Sequence, residues 1–407
     1  MDMDMWSSLP ADLLLEIFRR LETTAVVRSA AACRPWRRAI IGNASCLRPR
    51  PDRFLPDLLL GFFHQWWYGS GNNVRLQRAP GQLGSALGLT AAAEITRFAP
   101  LYATASSFIP AEAAAGVDVA LYDEPLSSRD GLLLLGGSSS RDDLCLCNPM
   151  AGSCAFLPAA AFQAHAYVVV TGYDLPASDD DDDLAVRILA VESEYIEDGM
   201  TYQLFSFASG AGGAGAWGPV KRSPEFKKGL KARMRRCGEV ICGGAVHWPG
   251  VSAGLLECTV AIDVRTGRTW TTPVPQQCTG TWHDFCCLAK SGDGQLSVVL
   301  ALSGHRVRIW VLVGGDEGWA PPRTIDVPSL VPHCEPRHGW SSLRLSSFCP
   351  RSGCVLAAVP GQELRIDVAD EKGSRRRRPV ECIGSSRVAT FPYEMDWSTY
   401  ISRMKYF

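Results

Sequence analysis

The sequence predicts an α+β multidomain protein: a small N-terminal three-helix unit, residues 1–46, followed by an all-β propeller of six to eight blades over residues 53–407. Three observations predict it. A helical apolar period occurs near the start and is not repeated later. Short apolar runs bounded by turn residues fill the chain from about Arg53 onward. A faint internal repeat, with glycines about 50 residues apart, orders those runs.

The segment LPADLLLEIFRRL (9–21) places Leu14, Ile17, Phe18 and Leu21 at the i, i+3, i+4 and i+7 positions of one helical face. Pro10 suits a first helical position, where its missing N–H costs nothing, and Asp12 favours the positive end of the helix dipole. Thr23 and Thr24 break the pattern and cap a second helix from Ala25 to Cys33, and a third runs from Pro35 to Ile41. Such a unit is at the lower size limit for independent folding. It nonetheless carries Leu9, Leu13, Leu14, Leu15, Ile17, Phe18, Leu21, Val26, Val27 and Trp36. Each large apolar side chain contributes about 1.5–3 kcal/mol on full burial, and three short helices cannot cover them all. Part of the set is expected to face another protein or the C-terminal domain.

The β character rests on the runs LLLGFF, GLLLLGG, DLCLC, YVVVTGY, YQLFSF, GAVHW, TVAIDV, LSVVLAL, RVRIWVLV, CVLAAV and ELRIDV, with no helical pattern between them. Two units align: DGLLLLGG with LCLCNPMAGSCAFLP, and GGAVHW with TVAIDVRTGRTWTTP. In both, a Gly-initiated strand precedes a second strand ending in Asn148 or Asp263, then a turn glycine (Gly152, Gly267) and a proline (Pro158, Pro273). Gly244, Gly294 and Gly353 are 50 and 59 residues apart, and Gly131 to Gly244 is 113, close to two periods. Small antiparallel sheets at that period read as propeller blades.

Of the 407 residues, 46% are hydrophobic and 20% charged, and the formal net charge is −1, so no global field draws the chain to nucleic acid or to a membrane surface. The start, MDMDMWSSLP, lacks the basic and apolar regions of a secretory signal, and no run approaches the roughly 18 apolar residues of a membrane span. The fifteen cysteines are odd in number and are expected to be reduced core residues, the sequon at Asn43 unused, and the location nucleus or cytoplasm. Charge is local: basic at Lys221–Arg236 and Arg375–Arg378, acidic at Asp179–Asp183. The first basic stretch reads as a solvated loop between blades, the second as the better nuclear-signal candidate, and the acidic tract as an extended loop.

Two motifs resemble catalytic ones. Gly250-Val251-Ser252-Ala253-Gly254 matches G-x-S-x-G, with Asp263 and His283 following in order, but a strand follows the turn where a nucleophile elbow needs a helix. Gly210 to Gly215 matches G-x-G-x-x-G, yet Ala216-Trp217-Gly218-Pro219 cannot open the required helix. Cys145 and Cys147, Cys286 and Cys287, and His333, Cys334 and His338 lack the paired spacing of a zinc site. No catalytic residue, metal or cofactor is expected.

LPADLLLEIFRRL followed by CRPWRRAI resembles the F-box, over residues 8–41, although Thr23, Ser29 to Ala32 and Pro35 depart from its pattern. The remainder resembles the F-box-associated, kelch-like propeller region of plant-type F-box proteins, from LPDLLLGFFH to PYEMDWSTYISRM. The resemblance implies the substrate-recognition subunit of a Skp–cullin–F-box ubiquitin ligase, without catalysis of its own. It would bind a Skp-type adaptor, and through it a cullin, by Leu9, Pro10, Leu14, Ile17, Phe18, Val26, Val27, Cys33 and Trp36. The propeller would bind an unidentified protein destined for degradation. The Trp-bearing turns at Trp217, Trp248, Trp282, Trp319 and Trp340 are candidates for that contact, each also readable as blade packing. Two rivals stand beside this reading. One is an F-box protein acting outside a cullin complex. The other is a carbohydrate-binding or enzymatic propeller with the helical start only a cap, which predicts a polar or charged cluster converging on the central channel, of which the sequence gives no strong sign.

Overall fold

The computed structural model describes residues 9–21, 23–43, 47, 58–66, 98–100, 122, 124–137, 143–150, 153–175, 186–192, 195–207, 215–234, 238–282, 285–302, 306–313, 318–326, 343–359, 362–368 and 388–396. Three helices come first: α1 (Ala11–Arg20), α2 (Thr23–Ala32) and α3 (Arg34–Gly42). Pro10 is the N-cap of α1, with φ −53° and ψ 142°, rather than its first helical residue. Thr23 lies inside α2 instead of capping it. Pro35 occupies the first turn of α3, where no N–H is required, and Asn43 closes that helix by donating from Nδ2 to the Ala39 carbonyl at 2.8 Å.

Everything described beyond residue 58 is strand, turn, short 3-10 helix or irregular connection. The strands form six antiparallel sheets among the described residues. Five are built from continuous stretches of chain. The first holds Glu124–Arg129, Leu132–Gly136, Leu144–Asn148 and Ser153–Leu157; the second runs from Ala166–Val170 to Lys221–Arg222. The third runs from Lys231–Ala232 to Thr269–Pro273, the fourth from Cys286–Lys290 to Arg323–Asp326, and the fifth from Arg344–Cys349 to Gln362–Asp367. A closing sheet pairs Leu59–Trp66 with both Phe98–Pro100 and Val388–Glu394, so the two ends of the β region meet in it.

The innermost strands pack side by side around an axis. Glu124–Arg129 lies beside Ala166–Val170, Val240–Cys242 beside Cys286–Lys290, Cys286–Lys290 beside Arg344–Cys349, and Val388–Glu394 between the fifth and first sheets. The second and third sheets share a core of Val168, Leu189, Tyr202, Ile241, Val246 and Trp248. The ring is thus continuous, and the β region is a propeller. All eleven apolar runs read from the sequence fall on its strands or directly beside them.

The repeat has a physical origin. Gly131, Gly294 and Gly353 each sit in the turn between the first two strands of a sheet, and Gly244 in the turn between Val240–Cys242 and Ala245–Ser252 of the third, with φ of 77°, 85°, 64° and 83°. Two-residue hairpins such as Asp130-Gly131 need positive φ at both positions, which glycine adopts without strain. The double interval between Gly131 and Gly244 falls on the second sheet, where a longer connection starting with the 3-10 helix Gly172–Asp174 replaces the tight turn.

The prolines of the repeat also recur in function. Trp217 donates from Nε1 to the Pro158 carbonyl at 2.8 Å, and Trp319 to the Pro273 carbonyl at 2.8 Å. Each bond ties an outer segment of one sheet, the strand Ala216–Trp217 or the bridge residue Trp319, to the end of the preceding sheet.

The basic stretch from Lys221 is only partly a solvated loop. Lys221 and Arg222 form an edge strand, and Leu230, Ala232 and Met234 are buried in the core between the second and third sheets, with Phe226 packed against them. The acidic tract, Arg375–Arg378 and the stretch from Gly210 to Ala214 lie outside the described residues.

His247, on the strand Ala245–Ser252, is buried against Trp270, with ring centroids 5.8 Å apart. Among the described residues nothing bonds its Nδ1. Burial lowers its pKa from 6.5 to about 4. The unfolded chain therefore takes up this proton first. The stabilising contribution of the neutral ring is full above about pH 6.5 and is lost as pH falls through about 4. His247→Phe, which keeps the edge-to-face contact, is expected to remove this acid sensitivity, on the order of 3 kcal/mol. Urea titrations at pH 4 and pH 7 on both proteins measure it.

Candidate functional site

The helical unit is the first candidate. Its core holds Leu14, Phe18, Val26, Ala30, Ile40 and Leu47, with Leu9, Leu15, Trp36, Ala39 and Ile41 packed around it. Trp36 meets Phe18 edge to face, with centroids 5.8 Å apart, so this half-buried indole helps to close the core. The face expected to be single is divided. Leu14 and Phe18 point inward, at 6% and 2% exposure, while Leu13, Ile17 and Leu21 stand out at 54%, 42% and 37%.

The nine positions implied by the resemblance therefore fall into classes. Leu14, Phe18 and Val26 are buried within the unit; Leu9, Cys33 and Trp36 are half-buried; Pro10 and Ile17 are exposed. The side chain of Val27 lies outside the described residues. Leu13 and Leu21 were absent from that set, although their spacing with Ile17, four residues either way, was visible as a second stripe. The unit is not entombed against the propeller. Tyr173, in the 3-10 helix of the second sheet, packs on its cluster, and the leucine–isoleucine stripe stays open.

The second candidate lies at the axis, where sequence reading gave no strong sign of charge. The structure reverses that expectation. Arg129 and Asp130 end the first strand of the first sheet, Thr171 and Asp174 follow that of the second, Arg351 and Ser352 that of the fifth, and Glu394 ends the closing strand. Arg351 grips Asp130 through Nε at 2.5 Å and Nη2 at 2.7 Å, and reaches Asp174 at 3.2 Å. Arg129 holds Asp174 through Nε at 3.0 Å and a second bond from Nη2. Thr171 donates its hydroxyl to Asp130 and its backbone N–H to Asp174. Glu394 accepts from the backbone N–H groups of Arg351 and Ser352 and from the Ser352 hydroxyl at 2.6 Å.

Burial works against ionised Asp174, but Arg129 and Arg351 outweigh it and hold the carboxyl well below the usual range. Glu394 is pushed up by burial, an effect that its bonds from Ser352 and Arg351 oppose. Lys290, at the end of the first strand of the fourth sheet, is lowered to about 8 by burial and by Arg351 and Arg129. Glu239, immediately before the strand Val240–Cys242 of the third sheet, is raised to about 7 by burial. Six sheets thus send charged groups towards one end of the axis.

The catalytic-looking motif does not assemble. Ser252 pairs with Leu255 across an Ala253-Gly254 hairpin turn with φ of 49° and 83°, whereas Asp263 pairs with Ala245 at the opposite end of the same hairpin. The Asp263 carboxylate accepts from the N–H groups of Arg265 and Thr266 and shapes that turn. His283 lies outside the described residues. Cys145 and Cys147 are buried on one sheet face, with Cys154 directly across from Cys147.

Of the tryptophans, Trp248 is core and Trp282 is 58% exposed, while Trp340 lies outside the described residues. Trp319 lines a cavity of about 520 Å³ with Pro273, Pro275 and Pro321, and Trp217 lines one of about 430 Å³ with Tyr202, Lys221 and Arg265.

Together these features define an F-box-like domain joined to a β-propeller: the F-box-like family matches residues 6–45. The chain belongs to the family described as Domain of unknown function (DUF7595), which matches residues 100–407. No curated protein matches the chain. Among solved structures, it is similar to the Penicillium chrysogenum alpha-L-arabinanase complexed with arabinobiose, at 8% identity and TM-score 0.37, covering 66% of this chain and 79% of that one. It is also similar to the Myceliophteria thermophila Cps50 (Swd1) β-propeller domain, at 10% identity and TM-score 0.32, covering 63% and 72%. A third is the Aleuria aurantia lectin, at 9% identity and TM-score 0.29, covering 61% and 80%. Likenesses this distant carry no argument about function.

Proposed function

We propose that the chain is the substrate-recognition subunit of a Skp–cullin–F-box ubiquitin ligase. The helical unit docks a Skp-type adaptor, and the propeller holds a protein target for ubiquitination and degradation. The observation that carries this reading is the open stripe of Leu13, Ile17 and Leu21 on a unit whose core is already filled by Leu14 and Phe18. Exposed apolar groups in a row on an F-box-like domain favour a protein partner. The chain then acts by proximity, raising the effective concentration of target lysines at the ubiquitin donor. We further read the closing sheet as a sixth blade, the region as of the kelch-like, plant type, and the location as nucleus or cytoplasm.

One observation favours the enzymatic or carbohydrate-binding rival: a charged cluster is present on the axis, with perturbed Glu239 and Lys290. Against it, Asp130, Asp174 and Glu394 are each occupied by arginine, serine, threonine or backbone donors. Affinity capture of the full chain with the proteasome inhibited, compared with a chain lacking residues 1–46, separates the readings. Adaptor and cullin recovered with the full chain alone support the ligase. Adaptor without cullin supports an F-box protein outside the cullin complex, and recovery of neither removes the proposal.

A further inference from the structure

Three thiols of the first sheet share one face and have no part in the proposed function. Cys145 and Cys147 lie on the strand Leu144–Asn148 and Cys154 on its neighbour Ser153–Leu157. Cys147 stands directly opposite Cys154 in the ladder, and Cys145 opposite Phe156. Alternation puts all four side chains on the same side of the sheet. Directly opposed residues of an antiparallel pair have Cβ atoms about 4.5–5.5 Å apart, and a disulfide needs about 3.5–4.5 Å, so this pair is a small adjustment from a bond. Cys145 is diagonal to Cys154, a separation of about 7–8 Å that a disulfide does not span without backbone movement.

The two members of the pair differ in access. Cys147 is 9% exposed, whereas Cys154 is half-buried on the edge strand, two residues from Phe156 at 46% exposure. At rest the Cys147 thiol donates to the Leu133 carbonyl at 3.4 Å, a weak bond that one side-chain rotation breaks. The fifth sheet holds a second opposed pair, Cys349 and Cys354, on either side of the turn that carries Arg351, both at 0% exposure. The same pairing thus occurs twice, once with an open approach and once sealed.

We propose that Cys147 and Cys154 form a reversible thiol-oxidation site, in which Cys154 meets the oxidant and Cys147 resolves the intermediate. The oxidant is a low-molecular-weight disulfide. The Cys154 thiolate attacks one of its sulfurs, forming a mixed disulfide and releasing one small thiolate; the Cys147 thiolate then attacks the Cys154 sulfur and expels the second. Two protein thiols are oxidised, and one small disulfide becomes two thiols that take up the protons the cysteines gave. Excess small thiol runs the same steps backwards. The bond clamps the edge strand, whose following residue, Pro158, accepts the bond from Trp217 of the second sheet. This site stands apart from the adaptor reading and does not depend on it.

The test incubates the folded full-length chain with oxidised glutathione in mildly alkaline buffer, because burial raises the Cys154 thiol and the thiolate is the nucleophile. Remaining thiols are then alkylated and the chain is cut at methionine with cyanogen bromide. Met150 falls between the two cysteines, and Cys154 is the single cysteine of the fragment 151–200. That fragment is expected to stay joined to residues 6–150 until a reductant is added. Cys147→Ala should release it and Cys145→Ala should not, with circular dichroism checking that each variant folds. Release from the oxidised wild-type chain overturns the proposal, whether or not the variants fold. So does retention in folded Cys147→Ala, or release from folded Cys145→Ala. Trypsin cuts after Arg351, between Cys349 and Cys354, and those two peptides are expected to separate unless oxidation is carried out in urea. Linkage of that sealed pair on the same time course in the folded chain would remove access as the selecting feature and overturn the assignment.

Discussion

Arg351→Ala is expected to destabilise the propeller by about 3–5 kcal/mol, the usual cost of removing one partner from a buried ion pair. The side chain makes two bonds to Asp130 and one to Asp174, and it lies 5.2 Å from the ring of Tyr173. Without it, among the described residues, Asp130 keeps Thr171 as its side-chain donor, and Asp174 keeps Arg129 and Thr171. The backbone N–H that Arg351 gives to Glu394 survives in the alanine variant, so the effect isolates the guanidinium. Domains of ordinary stability have roughly 5–15 kcal/mol in total, so the loss is a large share. Arg351→Lys keeps the charge but not the fork and should fall between the two. Urea unfolding monitored by far-ultraviolet circular dichroism measures all three proteins. An alanine variant within about 0.5 kcal/mol of wild type, the ordinary range of surface substitutions, would show that the cluster does not hold the ring together.

Leu13→Glu combined with Ile17→Glu is expected to weaken adaptor binding by at least about 100-fold, the effect of losing a central apolar contact and burying charge in its place. Both side chains are exposed, at 54% and 42%, so the helices should keep their structure. The contrast is with Phe18→Ala, which empties the core beside Trp36 and is expected to cost about 3–5 kcal/mol, melting the unit before binding is tested. Replacing Trp36 together with Leu9 and Pro10 mixes these two effects, since Trp36 closes the core. Titration against immobilised adaptor, with circular dichroism of the same samples, distinguishes them. Undiminished binding by the glutamate pair moves the docking surface elsewhere.

How far the sequence reveals this molecule follows from the range of the interactions. The helices are local in origin, and the period of Leu14 and Phe18 was enough to place α1. The blades were legible through Gly131, Gly244, Gly294 and Gly353, because a tight turn demands a particular residue at a particular place. The axial cluster left no such mark. Arg351 and Asp130 are 221 positions apart and Arg129 and Asp174 are 45 apart, so no spacing rule joins them. Only ring closure brings them together. The division of the α1 face was missed for a different reason: Leu13, Leu14, Ile17 and Phe18 all satisfy a helical period, and which stripe turns inward depends on α2 and α3.

The closing sheet imposes an order of events. Leu59–Trp66 has Val388–Glu394 as its neighbour, and Tyr393 donates its hydroxyl to the carbonyl of Gly131 at 3.0 Å. During synthesis the early strand must therefore wait, one edge unsatisfied, until more than three hundred further residues have been made. A message cut short before Val388 yields a broken annulus with a bare hydrogen-bonding edge, ready to pair with any other unfinished copy. Intact translation thus becomes a condition of solubility, and chaperone demand should be greatest for prematurely terminated chains.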